Sequence, residues 1–337
     1  MKLVDFVKGV AIVLVVYEHV AQGVSHRGWW NSPVYFFQER FIYSFHMAGF
    51  FFVAGLFVQE SIAKFGTGQF VVQKLRTVLW PYLFIGAFNI PIFLFGLERD
   101  SGAHDLVHAV LIPTLTGQIS WFLPTLFLCL LLAVVTYRLP AWARFAAALA
   151  LNLLWPENNP PTILDDVASY FVFLAAGEWV GGHIESVELI PHWATLAGSF
   201  AAFLLVAAGV WNPAIGRSLA APLGLAGTLG LFLLTRGLRD SVFETAAVWS
   251  GVASLGIFVL HPFFQGATRV VLARLTSTHM VLPNVLIPTL VAVIGPGLLW
   301  HSRKLLHIGF LFEFPWGAAK HIAVAEKHVA TVLASPG

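Results

Sequence analysis

Residues 4–24 read VDFVKGVAIVLVVYEHVAQGV, and this stretch decides the fold class. A helix needs about 20 mostly apolar residues to cross the hydrocarbon core of a membrane, and this run is long enough. In lipid a helix satisfies its own backbone hydrogen bonds, so the run predicts a membrane-spanning helix. It also contains Lys8, Glu18 and His19. Ionisable side chains are costly within a bilayer, so these three residues are candidate functional positions.

Apolar runs of this length recur along the whole chain. Of its 337 residues, 58% are hydrophobic and 11% are charged. A soluble fold does not bury that much apolar surface, so the composition excludes a soluble globular enzyme, a disordered chain and a fibrous protein. It predicts an all-α, polytopic membrane protein with about ten transmembrane helices. The candidate spans are residues 4–24, 40–60, 77–97, 119–137, 141–156, 166–183, 191–211, 216–236, 248–273 and 281–302.

The distribution of lysine and arginine predicts the orientation of the chain. With the N-terminus inside, the inner segments carry twice as many of these residues as the outer segments, as cytoplasmic loops generally do. We therefore expect both termini in the cytoplasm, a membrane domain over residues 1–302 and a cytoplasmic tail over residues 303–337. The stretch 99–118 is too polar to span, and we interpret it as an amphipathic helix at the interface.

Lys8 and His19 are predicted to share one face of the first helix. They are eleven residues apart, which places them within about 20° of each other around the helix and about 16 Å apart along it. Gln22 extends the same stripe. With the N-terminus inside, Lys8 lies near the cytoplasmic surface and His19 lies deep in the membrane. The alternatives are a Lys8 that reaches the headgroups, a His19 that is merely packed and hydrogen-bonded, and a Glu18 that pairs with a basic residue elsewhere.

Two later segments carry histidines within apolar runs. His46 is followed by Gly49 and Gly55, which permit close contact with another helix. A hydrogen bond between helices is the structural alternative to a functional role for His46. His261 precedes Pro262, and a proline breaks the hydrogen-bond ladder of a helix. A carbonyl freed in this way can bond the imidazole of His261, which gives this histidine a structural alternative as well.

The remaining candidates lie near the predicted ends of spans. Lys74 and Arg76 follow the second span, and such residues bind phosphate by charge and forked hydrogen bonds. The alternative is ordinary anchoring by cytoplasmic cations. Trp121 opens the fourth span, where a tryptophan often marks the membrane interface. We interpret Glu178, near the end of the sixth span, as an interface residue.

Four segments, taken in order, resemble motifs of the membrane acyltransferase 3 family. The first is similar to the family's first-helix motif of a basic residue, ten residues and a histidine, here Lys8 and His19. The short sugar O-acetylases of the fucose acetylase type look closest, and the resemblance covers about residues 3–316. The four segments are residues 5–19, 45–55, 121–124 and 260–262.

The chain departs from the family pattern at three positions. Lys8 stands where many members carry arginine, and Glu18 stands where a small residue commonly precedes the histidine. Gln73 occupies the place of the first of the family's paired arginines, beside Lys74 and Arg76.

The resemblance implies a membrane enzyme that transfers an acyl group, usually acetyl, from cytoplasmic acetyl-CoA or another acyl-CoA. The implied acceptor is a hydroxyl of a carbohydrate or lipid-linked glycan, as in cell-envelope O-acetylation, and the implied location is the bacterial inner membrane. No metal is implied. The 19 lysines and arginines nearly balance the 17 acidic residues, so nucleic acid is not expected as a partner, whereas membrane lipid is.

Acyl transfer to an alcohol needs a base for the hydroxyl proton and a group that stabilises the oxyanion. His19 is the best candidate base, because the unperturbed pKa of histidine is about 6.5 and a neutral imidazole accepts a proton. Glu18 is a candidate to orient it, although adjacent side chains on a helix diverge. His46 is the first candidate to stabilise the oxyanion.

The other candidates are assigned to substrate binding. Lys8 lies where it can meet the pantetheine or phosphates of a donor that enters from the cytoplasm, and Lys74 and Arg76 are expected to hold the nucleotide phosphates. The residues expected in the substrate pocket are Gln22, Trp121 and His261.

Two functions from other classes remain open at this point. A transporter or flippase can use buried Lys8, Glu18 and His19 as a polar relay, although we find no duplicated halves in the sequence. A non-catalytic scaffold for glycan assembly would tolerate the loss of Lys8 and His19 together, whereas an enzyme would not.

Overall fold

The structure is a computed structural model that describes residues 2–84, 86–87, 121–156, 162–181, 190–211, 217–275 and 280–314. This described part is helical and contains no strand, so the all-α prediction is confirmed. The helices are α1 (Lys2–Ser25), α2 (Pro33–Tyr43), α3 (His46–Leu56), α4 (Val58–Phe65), α5 (Thr67–Lys74), α6 (Phe122–Val135), α7 (Ala141–Leu154), α8 (Ile163–Val180), α9 (His192–Trp211), α10 (Arg217–Gly237), α11 (Val242–Val252), α12 (Ser254–Leu275) and α13 (Val281–His301). A π-helical turn, Leu75–Leu79, follows α5, and a 3₁₀ turn, Gly309–Leu311, follows α13.

The ten spans that the sequence predicts are not confirmed by the structure. Within the described residues, five helical stretches are long and apolar enough to cross a membrane. Two predicted runs fold as the 14-residue helices α6 and α7, which are only about 21 Å long and therefore shorter than the hydrocarbon core. A third run, 248–273, is divided between α11 and α12 at Ala253, and only α12 is among the five stretches. The predicted spans 4–24 and 166–183, which form α1 and α8, are not among them. The five stretches are Pro33–Phe65, His192–Trp211, Leu219–Gly237, Ser254–Leu275 and Val281–His301.

Some sequence predictions fall outside the described residues. The run 77–97 is described only as far as residue 87, and the predicted amphipathic helix at 99–118 lies wholly outside. Of the predicted tail, residues 303–314 are described. The placement of both termini in the cytoplasm stays a prediction.

Helix α1 lies at the centre of the bundle, where it contacts α3, α10, α11, α12 and α13. Its first turns pack beside the end of α3, since Val4 and Leu56 share one apolar cluster. Its last turns pack beside the start of α13, since Val24 and Val285 share another. We call the end of the bundle that contains Val4 and Leu56 the proximal end, and the end that contains Val24 and Val285 the distal end.

Glycines let two pairs of helices approach closely. A Cβ atom on Gly9 would lie 1.7 Å from the carbonyl oxygen of Ala247 in α11, and one on Gly251 would lie 1.7 Å from that of Asp5. Helices α3 and α8 also approach closely, because a Cβ on Gly55 would lie 2.0 Å from the carbonyl oxygen of Leu174. Small residues of this kind allow backbones to touch in membrane bundles. The predicted close contact at Gly55 is therefore present.

Gly49 differs from Gly55, because a Cβ there would meet only side-chain atoms, at 3.8 Å. That is an ordinary packing distance, so the backbone contact found at Gly55 is not present at Gly49.

Glu178, which the sequence analysis interprets as an interface residue, is buried between helices. Its carboxylate lies 3.0 Å from the guanidinium of Arg144, and both side chains are almost fully buried. The side-chain amide of Gln59 lies beside both groups. Removing one partner of a buried ion pair leaves an uncompensated charge, so this pair fixes α7 against α8.

We predict that Gly9→Ala destabilises the protein by about 1–3 kcal/mol, because its Cβ meets backbone that moves only if α1 separates from α11. Thermal unfolding of the purified variant measures the effect. Gly266→Ala, in α12, is the matched control, since no atom lies within 4 Å of a Cβ there. Equal unfolding temperatures for the two variants would contradict the close crossing.

Candidate active site

The two predicted histidines of α1 and α12 meet where these two helices pack together. His19 Nδ1 lies 2.8 Å from His261 Nε2, although the residues are 242 positions apart in sequence. A hydrogen bond of this length requires one of the two nitrogens to carry a proton and the other a lone pair. The environment of His261 decides which.

The Nδ1 atom of His261 must be the protonated nitrogen of its ring. It lies 2.8 Å from the carbonyl oxygen of Phe258 and 3.1 Å from that of Ile257, and a carbonyl can only accept. Pro262 explains why Phe258 is available, because the carbonyl of Phe258 would normally accept from the N–H of the residue four positions later, and proline has none. The freed carbonyl anticipated from the His-Pro sequence is present.

This arrangement fixes the tautomer of His19. With both rings neutral, His261 Nε2 carries the lone pair and accepts the Nδ1–H of His19. The Nε2 atom of His19 is then unprotonated, and it has no hydrogen-bond partner among the described residues. The His19 side chain is exposed, whereas His261 is buried. The pair therefore presents one oriented lone pair at an accessible position.

Two residues that the sequence analysis missed hold the backbone at His19. Gln265 Nε2 donates to the carbonyl oxygen of His19 at 3.1 Å, and Arg269 Nη2 donates to the same oxygen at 3.2 Å. Gly23 leaves room for this guanidinium, since a Cβ there would lie 2.1 Å from Arg269 Nη2. Because Gln265 and Arg269 follow His261 at four and eight positions, the helical period was the signal that could have found them.

Glu18 does not orient His19. Its side chain is fully buried, and neither carboxylate oxygen has a hydrogen-bond partner among the described residues. The partner that orients His19 is His261, which the sequence analysis placed only in the substrate pocket. A buried polar group without a partner is costly, so Glu18 is the least satisfied side chain near the site.

His46 is also buried and hydrogen-bonded. Its Nδ1 lies 2.7 Å from the carbonyl oxygen of Ile42, so this nitrogen donates. The ring of Tyr43 meets it edge-on, with centroids 4.9 Å apart. A neutral His46 has no second N–H, so stabilisation of an oxyanion by this residue would require its imidazolium form.

A cluster of polar side chains, which we call the distal cluster, joins the end of α1 to α2. Gln22 Nε2 donates to Tyr43 Oη at 2.8 Å and to Glu39 Oε1 at 3.3 Å, and Tyr35 Oη donates to the same carboxylate at 3.0 Å. Ser32 caps the start of α2 by accepting from the backbone N–H of Tyr35, which fixes this helix beside α1. Of the cluster, the sequence analysis identified only Gln22.

Trp121 lies in an aromatic wall beside the histidines. Its ring stacks on Tyr170, with centroids 4.9 Å apart. The neighbouring Phe122 contacts Phe258 at 5.1 Å, and Phe258 in turn contacts His261 at 6.1 Å. Trp121 is thus connected to the imidazole pair through other rings rather than by direct contact.

Lys8, Lys74 and Arg76, the three residues predicted to bind the donor, do not contact the two histidines. Lys8 Nζ lies 2.7 Å from Asp5 Oδ1. Lys74 Nζ lies 5.0 Å from the centre of the Phe70 ring, and burial lowers the pKa of Lys74. Arg76 is 3.3 Å from Glu313.

Arg76 also donates to the carbonyl oxygen of Phe314, at 3.2 Å, so the segment after α13 lies against this arginine. The cations therefore lie toward the proximal end, and the imidazole pair lies deeper along α1.

A comparison with protein families shows which family the chain belongs to. A family model described as an acyltransferase domain matches residues 2–301. The chain belongs to the membrane acyltransferase 3 family. No curated protein and no solved structure matches the chain.

Membership of the membrane acyltransferase 3 family supports an integral membrane protein with acyltransferase activity. Among the described residues, no group of three or more histidine, cysteine or acidic side chains is arranged to hold a metal ion.

We predict that ¹⁵N NMR of the labelled acyltransferase shows protonated Nδ1 and unprotonated Nε2 for both His19 and His261. In His261→Phe, His19 loses its acceptor, so we expect its tautomer to change. The exposed His26 serves as the internal reference. An Nε2–H tautomer of His19 in the unaltered protein would contradict the proton positions derived above.

Proposed function

We propose that this acyltransferase moves an acetyl or other acyl group from acyl-CoA to a hydroxyl of a carbohydrate or lipid-linked glycan, with His19 as general base. One observation carries the proposal: His19 Nδ1 lies 2.8 Å from His261 Nε2. With the proton positions inferred above, this contact leaves Nε2 of His19 free to accept a proton. An accessible, oriented lone pair is what a base needs to take a hydroxyl proton.

The proposed reaction uses this base twice. His19 Nε2 takes the proton of the acceptor hydroxyl while the acceptor oxygen attacks the carbonyl carbon of the thioester. The positive charge on His19 is stabilised by the hydrogen bond from its Nδ1–H to His261. When the tetrahedral intermediate collapses, the C–S bond breaks, and His19 returns the proton to the departing thiolate.

Tyr43 is the better proposed donor to the oxyanion of the intermediate. Its oxygen accepts from Gln22, and its hydroxyl hydrogen has no acceptor among the described residues. His46, the candidate from the sequence, uses Nδ1–H on the carbonyl of Ile42, so as a neutral ring it has no hydrogen to give. We propose that His46 instead positions Tyr43, whose ring it contacts.

The distal cluster supports an acceptor that is rich in hydroxyl groups. Glu39 and Gln22 present carboxylate and amide groups, and Tyr35 presents a hydroxyl, so the cluster both donates and accepts hydrogen bonds. Sugars require such mixed partners. We therefore propose that the acceptor enters from the distal end and the donor from the proximal end, where Lys8, Lys74 and Arg76 lie.

This assignment makes the proximal end cytoplasmic, because acyl-CoA is made in the cytoplasm. It agrees with the proposed location in a bacterial inner membrane and with modification of the cell envelope. The rival transporter function has less support. Lys8 is paired with Asp5, and Glu18 makes no hydrogen bond to His19, so these residues form no continuous relay within the described part of the chain.

We predict that His19→Ala lowers acceptor-dependent consumption of labelled acetyl-CoA by at least about 10²-fold, the usual contribution of a general base. Mass spectrometry of cell-surface glycans from cells with each variant measures the product. His26→Ala is the control, since His26 is an exposed histidine beyond α1. Unchanged glycan acetylation in a correctly inserted His19→Ala protein would exclude His19 as the base.

We further predict that Glu39→Gln raises the KM for the sugar acceptor by about tenfold or more, because hydrogen bonds to a charged group contribute about 1.5–3 kcal/mol. The KM for acetyl-CoA should not change. Steady-state kinetics on an acceptor found by screening monosaccharides and lipid-linked sugars measures both constants. Glu60→Gln, at an exposed position near the proximal end, is the control. A change confined to the donor KM would contradict acceptor binding at the distal cluster.

A further inference from the structure

A cavity of about 640 Å³ lies at the proximal end, where the chain turns back after α13. Its volume is in the range of small-molecule sites, about 300–1,000 Å³. One part of its wall is basic and another part is aromatic. The wall residues that matter here are Trp300, Arg303, Lys304, His307, Phe310 and Glu313.

A defined turn presents the basic residues of this wall. The backbone N–H of Ile308 donates to the carbonyl oxygen of Arg303 at 3.0 Å, and that of His307 donates to Lys304 at 3.4 Å. His307 has a φ of 55°, in the left-handed region. These features form a Schellman motif, in which a left-handed residue ends a helical turn. Arg303, Lys304 and His307 are therefore held by backbone hydrogen bonds on one short turn.

The cations of the turn keep most of their hydrogen-bonding capacity. Arg303 lies over the Trp300 ring, 4.2 Å from its centroid, and donates from Nη1 to the Trp300 carbonyl oxygen at 2.8 Å. A guanidinium has five N–H groups, so four remain. Neither Arg303 nor Lys304 forms an ion pair with any residue that the structure describes. A positioned guanidinium and a free ammonium side by side are the groups that bind phosphates.

Glu313 is the acidic residue of the wall, and it forms an ion pair with a third cation, Arg76. Its carboxylate lies 3.3 Å from Arg76 Nη2, and its side chain is 56% exposed. A carboxylate and a phosphate bind a guanidinium in the same way. Arg76 can therefore exchange this exposed carboxylate for a phosphate oxygen without breaking a buried contact.

We propose that this cavity binds the nucleotide of the acyl donor, with Arg303, Lys304 and Arg76 on its phosphate groups. The proposal rests on the proposed function, in which the donor is acyl-CoA. The nucleotide of CoA carries a diphosphate and a 3′-phosphate, which require several cations. Its adenine requires an apolar or aromatic surface, and the exposed ring of Phe310 provides one.

The cavity also lies on the side from which the thioester must approach. Leu255 forms part of its wall and precedes His261 by six residues on α12. That separation is about 9 Å along the helix. A nucleotide held in the cavity leaves the pantetheine arm to extend along α12 toward the imidazole pair.

The test compares two donors that differ only in the nucleotide. Acetyl-CoA carries it, and acetyl-pantetheine lacks it. With the purified full-length protein, the double variant Arg303→Ala/Lys304→Ala should raise the KM for acetyl-CoA by about 10–100-fold, the factor expected for lost charged hydrogen bonds. Turnover of acetyl-pantetheine should not change. Arg138→Ala removes an exposed arginine that does not line the cavity, and it should leave both donors unaffected.

A binding measurement separates this proposal from the proposed function. Calorimetry with adenosine 3′,5′-bisphosphate, in detergent free of phospholipid, should show binding to the unaltered protein that the double variant loses. This result would support the site even if the protein transferred no acyl group. Absence of acyl transfer from either donor in the unaltered protein, with nucleotide binding intact, would overturn the proposed function alone.

Two results would overturn the nucleotide site. The first is equal binding of the bisphosphate by the unaltered protein and the double variant. The second is an absence of nucleotide binding together with binding of phosphatidylglycerol that depends on Arg303 and Lys304, which would make the cavity a lipid site. If the double variant does not fold, Lys304→Gln gives the same test, because Lys304 is exposed and forms no ion pair with a described residue.

Discussion

The hydrogen bond between His19 and His261 is the interaction on which the site depends. It is the last link of a chain that starts at the carbonyl of Phe258, which lacks its usual donor because Pro262 has no N–H. That carbonyl fixes the proton of His261 on Nδ1, His261 then fixes the proton of His19 on Nδ1, and Nε2 of His19 is left as a lone pair. The loss of one backbone hydrogen bond in α12 thus determines the tautomer of a histidine on α1.

The helical class of the fold follows from the apolar runs, but the number of spans does not. Hydropathy identifies the apolar runs 141–156 and 248–273. It does not show that the first forms a helix of only 14 residues or that the second is divided at Ala253. The two glycines of α3 illustrate the same limit. Gly49 and Gly55 have similar neighbours in sequence, and only the partner helix decides that Gly55 touches backbone while Gly49 meets side chains.

Within the site, features encoded by neighbouring residues could be predicted, and contacts between distant helices could not. The freed carbonyl beside His261 follows from a single dipeptide, and the position of His19 follows from the helical period. The partnership of the two histidines joins α1 to α12 and has no local signal. Glu39 and Arg269 could not be predicted, because each reaches α1 from another helix and no local pattern shows that contact.

The register of α1 links the stability of the fold to the alignment of the base. Lys8, His19 and Gln22 occupy successive depths on this helix, so any slide along its axis moves all three together. A shift of one turn is about 5.4 Å, far more than a hydrogen bond of 2.8 Å tolerates. Gly9 and Gly251 oppose such a slide, because each glycine lies against backbone of the other helix. A substitution at this crossing should therefore misalign His19 about ten residues away, even though it touches no group of the site.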